Sequence, residues 1–308
     1  MPTFNRLQYL PPAIESVLTQ TFKQWELIIA DDGSGAEMRS YLRSLIDPRI
    51  SVIWLKHTGK PSAVSNNAMR RARGTYIAFL DSDDLWLPGK LQAQLDSLRR
   101  HPQRGWSYTR FSLIDAAGNP IVSSRSKHWA APSGWILEAL LDELTVIAQP
   151  SVVVARELLA RLGAFDEDLV MCYDDELWFR LAAHSEIDGI EEPLTLVRRH
   201  GQHSGSDVIA WRDRRRVFEK FLQARHDPCL SAILRKRRAD MSAGLAASLA
   251  ASGERISALH TLVSSAAHSW RYPRCWLRGL VATGRSFVPA ALRALVRRHR
   301  YLHSAHRP

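Results

Sequence analysis

The chain has 308 residues, 45% apolar and 24% charged, the mix of a globular protein and not of a disordered or collagen-like one. Three scattered cysteines, Cys172, Cys229 and Cys275, show no CxxC or CxxH spacing, which speaks against a disulfide framework or zinc site and for a reducing compartment. No apolar run is long enough to span a bilayer, and the net charge of +11 is unevenly placed: residues 1–210 hold 22 Lys and Arg against 26 Asp and Glu, residues 211–308 hold 20 against 5.

That asymmetry predicts a boundary near Ser206, with one domain over 1–205 and a basic helical region over 206–308. From the amino end, "LPPAIESVLTQTF" places Ile14, Val17 and Leu18 on one helical face behind two prolines. "WELIIADDGS" reads as a strand closed by acids and a glycine turn. A helix over Met38–Ile46 precedes the strand "ISVIWLK", and helical "SAVSNNAMRRA" leads through Gly74 into the strand "YIAFL". Further on, "GWSYTRFSLID" and "PSVVVA" read as strands, with a polar, basic loop over Ser123–Ser133. "DDELWFRLAAH" reads as a helix with Leu177, Trp178 and Leu181 inward. The Arg-rich remainder is helical, with breaks near Pro228, Gly253, Pro273 and Pro289.

Strands alternating with helices imply parallel pairing in a layered α/β sheet, whose ligands sit beyond the carboxyl ends of the strands. The opening "MPTFNR" reads as the loop after a strand that is not there, so the expectation is a sheet missing its first strand, from a late start site or a trimmed chain. Both "ADDGS" and "LDSDD" lie at strand exits, so their acids can face one site. Asp81, Asp83 and Asp84 repel one another and are costly to desolvate. A divalent cation shared with a diphosphate offsets that charge. A solvated acidic loop is the plainer reading of such a triplet taken alone.

"PTFNRLQYLPPAIESVLTQTFKQWELIIADDGS", "GTYIAFLDSDDLWLPGKL", "GAFDEDL" and "DDELWFRLA", in this order, resemble family 2 glycosyltransferases, which are inverting enzymes of GT-A fold. The resemblance covers about residues 2–205 and implies an α/β layered sheet with helices on both faces. It further implies that Pro2, Thr3 and Phe4 hold a nucleobase, with Phe4 where tyrosine is more usual, and that Asp32 accepts a hydrogen bond from the base. Asp31 fits turn formation better. Asp81 is implied to face ribose and metal, Asp83 to bind Mn²⁺ or Mg²⁺ directly, and Asp84 to act from the outer shell or as a helix cap. Asp174 falls on the position of the catalytic base, or Asp175 if the register shifts by one. Acids at a helix N-terminus also suit its dipole.

Departures from the pattern are Tyr173 in place of Glu, and Ser65-Asn66 where Arg-Asn is usual. Lys60 is a candidate substitute for that arginine, or a surface lysine. Arg199 and His200 match a basic pair that closes over the diphosphate, or are solvated loop residues. The resemblance thus implies a nucleotide-diphosphate sugar donor and a glycan or lipid-linked acceptor, in bacterial surface polysaccharide synthesis. The basic tail suits solvent or an anionic membrane surface, with "FVPAALRALVRRHRYLH" able to lie on a bilayer. That places the protein in the cytoplasm or on the inner face of the cytoplasmic membrane. Nucleic acid is disfavoured, since no recognition motif accompanies the charge. The contrasting expectation is a catalytically inactive GT-A scaffold.

Overall fold

The computed structural model describes residues 1–122, 130–201, 206–224, 228–269 and 271–286. Residues 123–129 of the polar loop and the membrane-surface candidate 287–303 lie outside them. The chain divides into two compact units, Met1–Ser204 and Gly205–Pro308.

The first unit opens with β1 (Pro2–Thr3), α1 (Leu10–Leu18), β2 (Leu27–Asp31), α2 (Ala36–Arg43), β3 (Ile50–Trp54), α3 (Pro61–Arg71) and β4 (Tyr76–Ala78). Prolines at the first turns of α1 and α3 lose no hydrogen bond there, because those N–H groups have no partner within the helix. Alternation along β2 sets the layers. Leu27 and Ile29 pack with Leu10, Ile14 and Val17 of α1 and with Met38 and Leu42 of α2. Ile28 and Ala30 pack on the other face against Val64 and Ala68 of α3. Helices therefore cover both faces of the sheet.

The unit continues with β5 (Leu85–Trp86), α4 (Lys90–Arg100), β6 (Trp106–Ile114), β7 (Pro120–Ile121), α5 (Leu137–Leu141), β8 (Val152–Ala155), α6 (Arg156–Leu162), α7 (Tyr173–Ala182) and β9 (Ile187–Arg198). β1, β2 and β3 form one parallel sheet, and a second runs β4-β8-β6-β9-β5 with β7 on the side of β6. All-parallel pairing is not what is found. β8 runs antiparallel to both β4 and β6, and β5 antiparallel to β9, while β6 and β9 are parallel. Between β6 and β8 the described residues hold β7 and the short helix α5, and β8 returns antiparallel to β6.

The loop expected at the start contains β1, whose Pro2 and Thr3 pair with Ala30 and Asp31. Six further elements lie beyond the sequence expectations, β5, α4, β7, α5, α6 and β9, of which α4 and β9 are the longest. The middle of β9 reads Gly189-Ile190-Glu191-Glu192-Pro193, poor in strand formers, and its pairing with β6 is irregular around Arg110.

In the second unit, α8 (Asp207–Ala224), α9 (Pro228–Ala251), α10 (Arg255–Ser269) and α11 (Pro273–Ser286) meet at Pro228, Gly253 and Pro273. Gly244 of α9 lies against the Trp211 ring of α8, where a Cβ would come within 2.5 Å of ring carbon. Leu245, Leu249 and Ala258 complete that contact. None of the described helices is long and apolar enough to cross a membrane.

Ile29 has no exposed surface. Ile29→Ala is expected to cost about 2–5 kcal/mol by chemical denaturation, whereas Ile46→Ala, at a side chain 94% exposed, should change stability by under about 0.5 kcal/mol.

Candidate functional site

A cleft of about 520 Å³ opens where β2 and β4 end, lined among others by Pro2, Thr3, Phe4, Asp32, Asp81, Asp83, Asp174 and Arg199. Eight of the residues singled out from the sequence thus meet at one place. Lys60, Asp175 and His200 do not line it, although His200 reaches it through Asp83.

β2 delivers Asp31 and Asp32 into different jobs. Asp31 is buried and accepts the Ser34 amide at 3.1 Å, shaping the turn that Gly33 makes at φ +80°. Asp32 Oδ1 accepts from the Thr58 amide and hydroxyl, each at 2.9 Å, and Oδ2 from the Gly59 amide at 3.0 Å. His57 Nδ1 lies 3.0 Å from Oδ2 and 2.9 Å from the Asp32 carbonyl; facing two acceptors, that nitrogen carries the proton. Four donors thus surround the Asp32 carboxylate, and the His57 ring it holds stacks on Phe4 at 4.1 Å between centroids. His57 was not foreseen, because a lone histidine beyond a strand carries no motif.

The acids after β4 are held apart by different partners. Asp81 accepts from the Gln149 amide at 3.0 Å. Burial pushes its carboxyl up to about 7, reinforced by Asp83 and Asp174 and opposed by the Met1 ammonium. Asp83 Oδ2 lies 2.8 Å from His200 Nε2, and that ring stacks on Tyr9 at 5.0 Å. Asp84 is buried and accepts the Arg198 amide at 2.7 Å; burial, then Asp81 and Asp83, raise its carboxyl well above the usual range despite that bond and the Arg198 charge. The Arg198 guanidinium donates to the carbonyls of Asp83, Asp115 and Ala116 at 2.8–3.2 Å, stitching β9 to the acid loop. Neither Arg198 nor Gln149 stands out in the sequence, since what they do depends on contacts 68–115 residues away.

Asp174 enters from the first turn of α7 together with Asp175 and Glu176, where the helix dipole favours negative charge. Cys172 precedes them at φ +57°, a left-handed residue that turns the chain into the helix. Glu176 is fully buried and pairs with Arg180 at 2.6 Å, and Arg180 also donates to the carbonyls of Leu162, Gly163 and Ala164. That clamp fixes the start of the loop leading to Asp174. Burial, then Asp81 and Asp174, raise the Tyr173 phenol well above its usual value, so it stays protonated.

Lys60 points elsewhere, donating to the Glu167 carbonyl at 3.2 Å. Ser62 and Asn66 of α3 bind the Leu169 and Phe165 carbonyls, so Asn66 anchors the loop before α7. No group of three or more His, Cys, Asp and Glu among the described residues is gathered tightly enough to enclose a metal ion. The donor set at the strand exits is instead a few carboxylate oxygens, the chemistry that hard divalent cations take: Asp81 is buried with Asp83 and Asp174 among its charged neighbours and the Met1 ammonium opposing them.

Comparison with known proteins gives the family. Residues 1–145 match the model described as glycosyl transferase family 2. An Escherichia coli protein named UDP-Glc:alpha-D-GlcNAc-diphosphoundecaprenol beta-1,3-glucosyltransferase WfgD is 30% identical over 190 residues, 62% of this chain and 71% of that one. The chain belongs to glycosyltransferase family 2. A Bacillus subtilis (strain 168) protein named for teichuronic acid biosynthesis, TuaG, is 35% identical over 158 residues, and the match spans 51% of this family 2 chain and 60% of TuaG. The fold is GT-A. It is shared with the mannosyltransferase PcManGT from Pyrobaculum calidifontis, solved with GDP-Man and Mn²⁺, at a TM-score of 0.57 and 19% identity over 92% of this chain and 85% of that one.

Gln149→Leu removes the side-chain donor to Asp81, so the Asp81 carboxyl should titrate above about 7. Carboxyl-carbon NMR of the two proteins across pH 5–9 checks this.

Proposed function

We propose that this family 2 chain is an inverting glycosyltransferase that moves a sugar from a nucleotide diphosphate to an acceptor hydroxyl. The observation that carries the reading is the convergence of Asp81, Asp83 and Asp174 with the Phe4–His57 stack on one cleft. Pro2, Thr3 and Phe4 form the base platform, opposite the His57 ring. Asp32 keeps that ring in place and can offer an oxygen to the base once the Thr58 hydroxyl rotates away. Asp81 and Asp83 are the residues that would hold Mn²⁺ or Mg²⁺, which when bound neutralises charge on the departing diphosphate. Arg199 brings a guanidinium to the same side, where His200 holds Asp83, and Lys60 stands too far into its own contact to be a first choice. Asp174 takes the proton from the acceptor hydroxyl as that oxygen attacks the anomeric carbon from the face opposite the nucleotide. Asp175 is the alternative base.

The names of WfgD and TuaG support a role in polysaccharide synthesis on a lipid-linked acceptor. Solvent-facing apolar side chains on α10 (Ile256, Leu259, Val263) and α11 (Leu277, Leu280, Val281), in a strongly basic unit, support peripheral contact with an anionic membrane. Its cytoplasmic face is where such a lipid carrier would be met.

Asp83→Ala should abolish metal-dependent binding of the nucleotide donor by calorimetry; unchanged Mn²⁺ affinity counts against the assignment. Asp174→Asn should keep donor binding and lose transfer by about 10²-fold or more, with Asp175→Asn near wild type; the reverse pattern moves the base by one residue. Binding without turnover in the wild-type chain would favour the inactive scaffold.

Metal affinity should also depend on pH. The folded carboxyl of Asp81 is raised, so below about 7 a proton must leave before a cation can bind. Mn²⁺ binding is therefore expected to weaken by up to about tenfold per pH unit below 7 and to level off above it.

A further inference from the structure

Tyr173 departs from the family pattern, and nothing in the proposed chemistry uses it. Its ring stands edge-on to Phe165 at 5.1 Å, a contact that phenylalanine would make equally well. The hydroxyl is what phenylalanine would lack. It hydrogen-bonds the side chain of Gln149, and Gln149 Nε2 donates to Asp81 Oδ1 at 3.0 Å. The phenol keeps its proton, since burial, Asp81 and Asp174 all disfavour phenolate. A protonated phenol donates, and Oε1 is the sole acceptor on the side-chain amide, so the groups run in one sense: Tyr173 to Gln149 Oε1, then Gln149 Nε2 to Asp81. Gln149 itself is buried on a fixed mount. It opens the 3₁₀ turn Gln149–Ser151, whose Pro150 carbonyl accepts Trp86 Nε1 at 2.7 Å and whose Ser151 carbonyl accepts Gln94 Nε2 at 3.0 Å. The path therefore joins the acid loop after β4 to the first residue of α7, next to Asp174, across carboxylates that repel one another. It carries no charge of its own. A glutamate at 173 would add a further carboxylate there and compete with Asp81 for Nε2.

We propose that Tyr173 and Gln149 are positioning residues, a neutral tie that holds the Asp81 carboxylate in register with the first turn of α7, so that the acid for the cation and the acid for the acceptor proton keep one geometry. The tie rests on the reading of Asp81 as a metal-holding residue and of Asp174 as the base. It acts through those acids, and neither side chain has to touch donor, acceptor or metal. With the tie in place, Asp81 meets an arriving cation in a single rotamer. Without it, the carboxylate must be ordered at the moment of binding, and part of the binding free energy goes into that ordering.

Tyr173→Phe removes one hydroxyl and keeps the Phe165 contact, so the fold survives the change. In the full chain, titrated with Mn²⁺ in the presence of UDP and of GDP and read by electron paramagnetic resonance, this variant should bind Mn²⁺ about threefold to tenfold more weakly than wild type. Gln149→Leu should lose at least as much. The double variant should lose no more than Gln149→Leu alone, because Tyr173 reaches Asp81 through that amide. A second readout needs no metal: by side-chain amide NMR, the Gln149 Nε2 protons should exchange with water at least about tenfold faster in Tyr173→Phe. Mn²⁺ affinity within about twofold of wild type in Tyr173→Phe, a double loss equal to the product of the single losses, or unchanged amide exchange would overturn the tie. A wild-type chain that binds no Mn²⁺ overturns the metal reading of Asp81 instead, and the amide exchange then decides the tie.

Discussion

A group of carboxylates gathered against their own repulsion is the constraint on which the first unit of this molecule depends. Asp81, Asp83, Asp84 and Asp174 belong to one cleft, and two of the four are held well above the ordinary titration range by burial and by one another. The rise of Asp81 to about 7 is a cost the fold carries for burying that carboxyl beside two others. Such a cost persists only where the surrounding structure over-determines it, and here that structure is visible: the Gln149 amide on Asp81, the His200 ring on Asp83, the Arg198 backbone on Asp84.

Arg198 has the widest reach of these partners. Its guanidinium binds three carbonyls on two loops and also lies over the Tyr9 ring, which stacks on His200 from another side. β9 exists to bring that residue to the strand exits, and its long parallel pairing with β6 holds despite the irregularity at Arg110. α7 is placed by comparable means, through the buried Glu176–Arg180 pair and the carbonyls Arg180 binds. Two arginines therefore set the positions of acids that they do not themselves neutralise at the cleft face.

The second unit obeys simpler physics. Its helices pack through small residues, with Gly244 admitting the Trp211 ring and alanines filling the α9 seam. Its charge is carried mostly by arginines, and not all of them are fully solvated: burial lowers the Arg238 guanidinium from its usual value, with Glu219 opposing.

Much of this was legible in the residues themselves. Apolar strands closed by acids, prolines at helix starts, and a 3.6-residue pattern through Leu177, Trp178 and Leu181 are local signals, and local signals survive in one dimension. The order of the motifs identified the family and its GT-A fold. What the tertiary structure alone decided was long-range: that β8 runs antiparallel, that a broken-looking stretch rich in glutamate becomes β9, that His57 joins Phe4, and that Gln149 and Arg198 serve the acids. Each of these depends on pairing between segments tens of residues apart, where a residue's role comes from its neighbours in space and leaves no mark in its neighbours along the chain.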